Sequence, residues 1–434
     1  MALLVSAALG ALTPAQRVSA AWAPSNPLPG LGNGRIWSLA INVANSGIAL
    51  AGTDNGVYRS ADGGVSWTSA ALSGTRIWAV GFDVRDAHSA YAATAGKGIA
   101  HSADDGQTWA DSSSGLTNPD IRSLAFGLDG IAAGTADGVA LSVDGAHWLG
   151  GGAGDPLHGV SISSVTIAAN APQFTVIAGA DGGDLSRGYL FRTTPQGDWE
   201  PLHGGLPAGA VVLSAASGPV SQSVSRRPLL INTSRGTFRS SDGGSTWSQS
   251  QGIPNEPTAL TLVTTTFSPL DPNLAYSGSD AAGSSGGELM RSTDGGASFA
   301  PASQGIPDRS RNVSTIAVGA TTPPTLLAGI NPPGGGSMVF RQLDATAPSP
   351  PNLVAEGGGP VPVRNATPAP TNRGGNATRT PPPTSNEPSG GFAGFLESAF
   401  HWPFPLVPEV LFVLLVGYTF IRWRQRYLDV EGPP

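Results

Sequence analysis

One stretch of this chain of 434 residues recurs, and no other feature restricts its fold as much. GVYRSADGGVSW (56–67) returns as GIAHSADDGQTW (98–109), GVALSVDGAHW (138–148), GTFRSSDGGSTW (236–247) and ELMRSTDGGASF (288–299). The closing aromatics Trp67, Trp109, Trp148, Trp199, Trp247 and Phe299 follow one another at steps of 42, 39, 51, 48 and 52 residues. Self-similarity at such a period marks a repeat architecture, and each step has room for four short strands with their turns.

Upstream of each aromatic the same order recurs: an apolar run, a turn, then a second run ending in Gly or Thr, as in SLAINVANSGIALAGT and AVGFDVRDAHSAYAAT. A third strand follows, GVYRS in the first copy and SMVFRQ (337–342) in a seventh. The seventh copy lacks both the Asp-Gly-Gly turn and the closing Trp. The N-terminus supplies what is missing, because AWAPSNPLPGLGNGRIWSL (21–39) parallels SWTSAALSGTRIWAV (66–80) and puts Trp22 where Trp67 stands. The expectation is an all-β, seven-bladed propeller over 21–344, its ring closed by the N-terminal strand so that no sheet edge is left open.

The composition agrees with many tight turns, since there are 60 glycines and only 12 % charged residues. A net charge of -7 with no basic cluster in the repeats argues against a nucleic-acid partner. There is no cysteine, so neither disulfides nor thiolate metal sites hold the fold. Nothing in the sequence calls for a cofactor or a metal.

The two ends carry targeting signals. Ala2–Leu12 is an apolar run too short to span a bilayer, followed by small residues, and 1–20 reads as a signal peptide. Residues 404–421 form an apolar run followed by Arg422, Arg424 and Arg426, which reads as one transmembrane helix with a cytoplasmic tail at 422–434 and the propeller outside the cell membrane. The Pro-, Thr-, Asn- and Gly-rich 345–390 reads as a disordered stalk, with Asn365 and Asn376 in formal glycosylation triplets, and 391–403 as a juxtamembrane segment.

Within each repeat the Gly residues suit a hairpin turn between the third and fourth strands, and the Asp carboxylate can accept backbone N–H bonds there. The Trp is expected to pack on the next repeat. These residues are Ser60, Asp62, Gly64 and Trp67; Ser102, Asp104, Gly106 and Trp109; Asp144 and Trp148; Ser240, Asp242, Gly244 and Trp247; and Ser292, Asp294, Gly296 and Phe299. The stretches resemble Asp-box, or bacterial neuraminidase, repeats, the hairpin motif of several propeller families. The resemblance covers about residues 21–344 and implies a structural part for the motif, away from any active site.

Function is less constrained. Sialidases carry such repeats, but their Phe-Arg-Ile-Pro element does not occur here. The tyrosines of the repeats, Tyr58, Tyr91, Tyr189 and Tyr276, all fall at strand positions, and glutamate before the stalk is confined to Glu200, Glu256 and Glu288. A two-carboxylate mechanism of xyloglucanase type would have to draw on Asp83, Asp120, Asp155 or Asp280, with no sequence rule to pair them. The histidines show no ligand spacing. Binding is the stronger reading. Arg35, Arg76, Arg122 and Arg311 fall at or just before the first strand of their blades, where they could converge as a cationic mouth for an acidic segment of a partner, or else each pair with a nearby Asp. The whole is similar to photosystem II stability/assembly-factor-like propellers, which implies a non-catalytic module that binds a protein, with a glycan as the other ligand class and a glycoside hydrolase as the alternative function. A C-terminal anchor departs from that family's form. Sortilin-type receptors share the anchored layout but depend on a cysteine-rich module that this chain lacks.

Overall fold

Runs such as Ile36–Ile41 and Ala49–Thr53 are too short for stable helices, and each is followed by a turn that sends the chain back beside itself. The computed structural model describes residues 21–354 apart from 151–154, 170–173, 184, 187, 195–196, 254–260, 280–286 and 309–310. All of them lie in the first of the chain's two units, residues 1–367. The expected signal peptide, membrane span and tail, and the stalk beyond 354, lie outside the described residues. Among the described residues no helix is long and apolar enough to cross a membrane.

The strands form seven antiparallel sheets of four. Blades 1 to 6 are simple meanders, their first strands being Ile36–Ile41, Ile77–Phe82, Ile121–Phe126, Val160–Ala169, Val212–Ser217 and Leu262–Ser268. Blade 7 takes three strands from Val313–Val318, Thr325–Ile330 and Met338–Leu343, and its fourth, Ala23–Pro24, from the N-terminus. Ala23 pairs with Arg341 and Pro24 with Phe340, while the Trp22 indole N–H donates to the Ala302 carbonyl at 2.9 Å. Each first strand touches the first strands of both neighbouring blades, and blade 7 touches blade 1, so these seven strands surround the central axis.

Between successive blades the described residues form seven apolar clusters, and each holds or borders one closing aromatic. The direction of packing differs from the expectation above. Trp67 of blade 1 lies with Ala317, Leu327 and Val339 of blade 7, and Trp148 of blade 3 with Tyr91, Ala93 and Ile99 of blade 2, so the ring packs on the preceding blade. The cause is the hairpin's lean. A Cβ on Gly64, at φ +85°, would stand 2.5 Å from Leu327, and one on Gly106 the same distance from Leu50, which shows the turn pressed onto the blade before it.

The chain does not leave the disc at the end of its last strand. Residues 345–354, which the sequence assigns to the stalk, run along it: Ala347 packs against the cluster of blades 6 and 7, and Leu353 forms a bridge with Ser221 of blade 5. The Gln222 N–H donates to the Asn352 carbonyl at 3.2 Å.

Candidate functional site

The repeated turns are self-contained hydrogen-bond units. In the first, the Ser60 hydroxyl donates to Asp62 Oδ1 at 2.8 Å and accepts the Gly64 N–H at 2.8 Å. Asp62 Oδ1 also accepts the N–H groups of Val65 and Ser66, and Oδ2 the Ser66 hydroxyl. Ser102, Asp104 and Gly106, Ser240, Asp242 and Gly244, and Ser292, Asp294 and Gly296 repeat the pattern. In the shorter third copy Ser142 donates to Asp144, whose Oδ2 meets His147 Nδ1 at 2.8 Å. Partial burial opposes the charge at Asp62 and Asp242, but the donated bonds outweigh it and lower both to about 2; at Asp104 the Thr108 hydroxyl leads the same lowering to about 2. A carboxylate so saturated by its own turn has nothing left for a ligand. Among the described residues no group of three His, Asp or Glu is placed to hold a metal ion.

The other face of the disc carries the starts of the inner strands, and there the blades share a feature that the sequence does not announce. Every inner strand breaks register near its start, at Ile36/Ser38, Ile77/Ala79, Ile121/Ser123, Ile162/Ser164, Val212/Ser214, Leu262/Thr264 and Val313/Thr315. The residue left over at each bulge is unpaired in the ladder and freed for another task. These residues are Trp37, Trp78, Arg122, Ser163, Leu213, Val263 and Ser314, all half-buried, and equivalent positions in seven blades describe a ring around the axis.

One sector of that ring is aromatic. Trp37 and Trp78 meet edge to face with centroids 4.8 Å apart. The Arg35 guanidinium lies 4.8 Å from the Trp37 ring, and that of Arg76 lies 5.4 Å from Trp37 and 5.0 Å from Trp78. Such stacking is worth about 0.5–1 kcal/mol at an exposed site and more when desolvated. Asp54, in the turn after the second strand of blade 1, ties the group together. Its carboxylate accepts the Trp37 indole N–H at 2.9 Å, the Arg35 backbone N–H at 2.9 Å and Arg76 Nε at 2.6 Å. Burial works against the Asp54 charge, but these three donors prevail and hold its pKa below the usual carboxylate value. The indole N–H of Trp78 and Nε of Arg35 are buried donors without a partner.

The four arginines named from the sequence therefore divide. Arg35 and Arg76 converge on Trp37. Arg122 meets Asp181 of blade 4 at 3.4 Å and Asp120 at 3.6 Å, and Arg311 meets Glu288 of blade 6 at 3.0 Å and Asp308 at 2.6 Å. Arg76, Arg122 and Arg311 are thus each held in an ion pair with a nearby carboxylate, the second arrangement considered from the sequence, while the Arg35 guanidinium stacks on Trp37.

The candidate catalytic groups are engaged elsewhere. The four tyrosines are buried, Tyr58 donating to the Pro29 carbonyl and Tyr189 to that of Pro207, and burial raises all four phenols above their ordinary pKa. Glu200 pairs with Arg192 and Asp83 with Arg85. Glu256 and Asp280 lie outside the described residues.

Sequence comparison with family models and with curated proteins gives no match. Comparison of the fold does. The chain is similar to the GH74 xyloglucanase from Xanthomonas campestris (TM-score 0.56, 18 % identity, 77 % of this chain and 55 % of that one) and to YCF48 from Cyanidioschyzon merolae (TM-score 0.52, 16 % identity, 75 % and 99 %). A structure of YCF48 bound to D1 peptide gives a TM-score of 0.53 at 17 % identity, over 76 % and 97 %. The shared feature is the seven-bladed propeller. The chain spans about half the length of the xyloglucanase and nearly all of YCF48, and at these identities the likeness is one of fold alone.

Proposed function

We propose that this chain is a membrane-anchored, extracytoplasmic propeller of Asp-box type that binds a segment of another protein without catalysis, in the manner of an assembly factor. The observation that carries this is the Trp37–Trp78 pair under Arg35 and Arg76 on the rim of the axis. Half-buried indole rings beside guanidinium groups suit an extended peptide, since they offer apolar area together with donors that still lack acceptors. The peptide seen on YCF48 shows that a propeller of this shape can serve such a purpose. Anchoring and orientation rest on the sequence reading of 1–20 and 404–421.

A glycan is the second ligand class, because indole faces also stack on sugar rings, and glycoside hydrolysis is the alternative reading that the xyloglucanase likeness keeps in view. Asp54, held ionised, does not fit the general acid of such a mechanism, which would have to come from another carboxylate.

The test is binding of the full chain to peptide and glycan arrays, with the Trp37→Ala, Trp78→Ala double variant beside it. Peptide binding that the variant loses supports the proposal. Glycan binding with release of reducing ends would replace it with the hydrolase.

A further inference from the structure

Blade 5 departs from the repeat on the opposite face of the disc, where the repeated turns lie. Its first two strands, Val212–Ser217 and Leu229–Thr233, are joined by 218–228, eleven residues, where the corresponding connections of the other blades have two to seven. This longer loop walls a cavity of about 230 Å³ against the Ser241 turn of its own blade and the Asn273 and Gly295 turns of blade 6. Ser223, Ser225, Arg226, Arg239, Ser241 and Asn273 present polar groups to it, and no Asp or Glu is among its lining residues.

Arg239 is the informative member. It occupies a third-strand position that is Arg in four other blades, and in three of them the side chain donates to a carbonyl in the turn of the next blade, while one Nη of the fourth, Arg291, is also buried without a partner. Arg59 Nε donates to the Asp105 carbonyl at 2.9 Å, Arg341 Nε to that of Gly63 at 3.1 Å, and Arg192 Nη1 to that of Gly243 at 2.9 Å. Arg291, which has no such turn to meet, donates instead to Asp344 at 2.7 Å. Nε of Arg239 is buried and has no partner. Arg226, carried by the longer loop, adds a second guanidinium, which donates to the Asp242 carbonyl at 3.1 Å. Three carboxylates border the cavity without lining it: Asp242 and Asp294 are occupied by the hydroxyl and N–H groups of their own turns, and buried Asp271 accepts the Asn273 N–H at 2.9 Å.

From this geometry we propose that the cavity between blades 5 and 6 is a binding site for a doubly charged tetrahedral oxyanion, phosphate or sulfate, held by Arg226 and Arg239 with the serine hydroxyls and the Asn273 amide completing the cage. Two guanidinium groups without a carboxylate between them, in a cleft too small for a polymer, select for charge and for several acceptor oxygens at once.

The test is calorimetric titration of the full chain with sodium phosphate, sodium sulfate and sodium acetate at one ionic strength. Saturable binding of phosphate or sulfate is expected, weakened by about tenfold or more in Arg226→Gln, which alters an exposed side chain and leaves the fold intact. Arg239→Gln should lose binding too, and Arg59→Gln should keep it. Absence of saturable heat, equal binding by Arg226→Gln, or acetate binding as tight as phosphate would overturn the assignment.

Discussion

The carboxamide of Asn331 holds both backbone groups of Ile36, 295 residues away: Oδ1 accepts the Ile36 N–H at 2.9 Å and Nδ2 donates to its carbonyl at 2.8 Å, both buried. This is the inner half of the joint between blade 7 and blade 1, and the pairing of Ala23 and Pro24 with the last strand is the outer half. Removing the amide leaves the buried Ile36 N–H without its partner, at a cost of about 1–3 kcal/mol, while the Ile36 carbonyl keeps the Ser314 hydroxyl at 2.8 Å. Asn331→Leu should therefore lower the unfolding free energy by about 1–3 kcal/mol in urea, and Trp22→Ala, which empties the aromatic site that the closing strand fills between blades 6 and 7, by about 3–5 kcal/mol. Values near zero for both would mean that the ring is not held at this seam.

A glycine held at positive φ should tolerate change in proportion to what stands over it, in the repeated turn and in the inter-blade connection alike. Gly64 combines φ +85° with a neighbour 2.5 Å from any added Cβ, whereas Gly74, at φ +73°, has nothing within 4 Å. Gly74→Ala then incurs only the backbone term, about 1 kcal/mol, and Gly64→Ala adds displacement of Leu327 for a total of about 2–4 kcal/mol. Equal losses in thermal unfolding would show that the turn is not pressed on blade 7.

The contrast between these two faces explains what could be read from the chain alone. Blade number and N-terminal closure were open to inspection because they rest on residue types that a hairpin demands, Ser, Asp and Gly at fixed offsets, and on Trp22 echoing Trp67. Packing direction was not, since an aromatic at the end of a strand can lean either way and only the three-dimensional tilt of the blades chooses. The bulge ring left no mark either: seven different residues fill it, from Trp37 to Ser314, because an unpaired position imposes no side chain. Arg-Ile-Trp at 35–37 and 76–78 was the one visible trace, and it pointed to the arginines while the tryptophans beside them carried the site. The longer connection in blade 5 could have been measured on the sequence, but the loss of a partner for Arg239 could not.

Acid should weaken the propeller through its turns. Asp62, Asp104 and Asp242 have folded pKa values of about 2, below the ordinary aspartate value of 3.8. A depressed folded value means that the unfolded chain takes up protons first, so the stabilisation is complete above about pH 4 and is lost as pH falls towards about 2. Urea midpoints measured between pH 5 and 2 should fall steadily, and the triple variant Asp62→Asn, Asp104→Asn, Asp242→Asn should start lower and show a shallower slope. A wild-type midpoint constant over that range would contradict the hydrogen-bond arrangement.

Arg76 separates a binding role from a structural one at the aromatic sector. Its ion pair with Asp54 is solvent-accessible, the arginine side chain being 46 % exposed, and pairs of that kind contribute about 0–1 kcal/mol. Arg76→Ala should thus leave the urea midpoint close to wild type. The same change strips one guanidinium from both indole rings and frees Asp54 Oδ1 from a 2.6 Å partner, so peptide affinity on the array should fall by about three- to tenfold, corresponding to about 0.7–1.4 kcal/mol. Arg311→Ala provides the comparison, because its partners Glu288 and Asp308 belong to the ion pairs of blades 6 and 7 and not to the tryptophan pair. If both variants lose affinity alike, the ligand reads the whole rim by charge and not the Trp37–Trp78 sector; if only Arg76→Ala does, recognition is local to the first two blades.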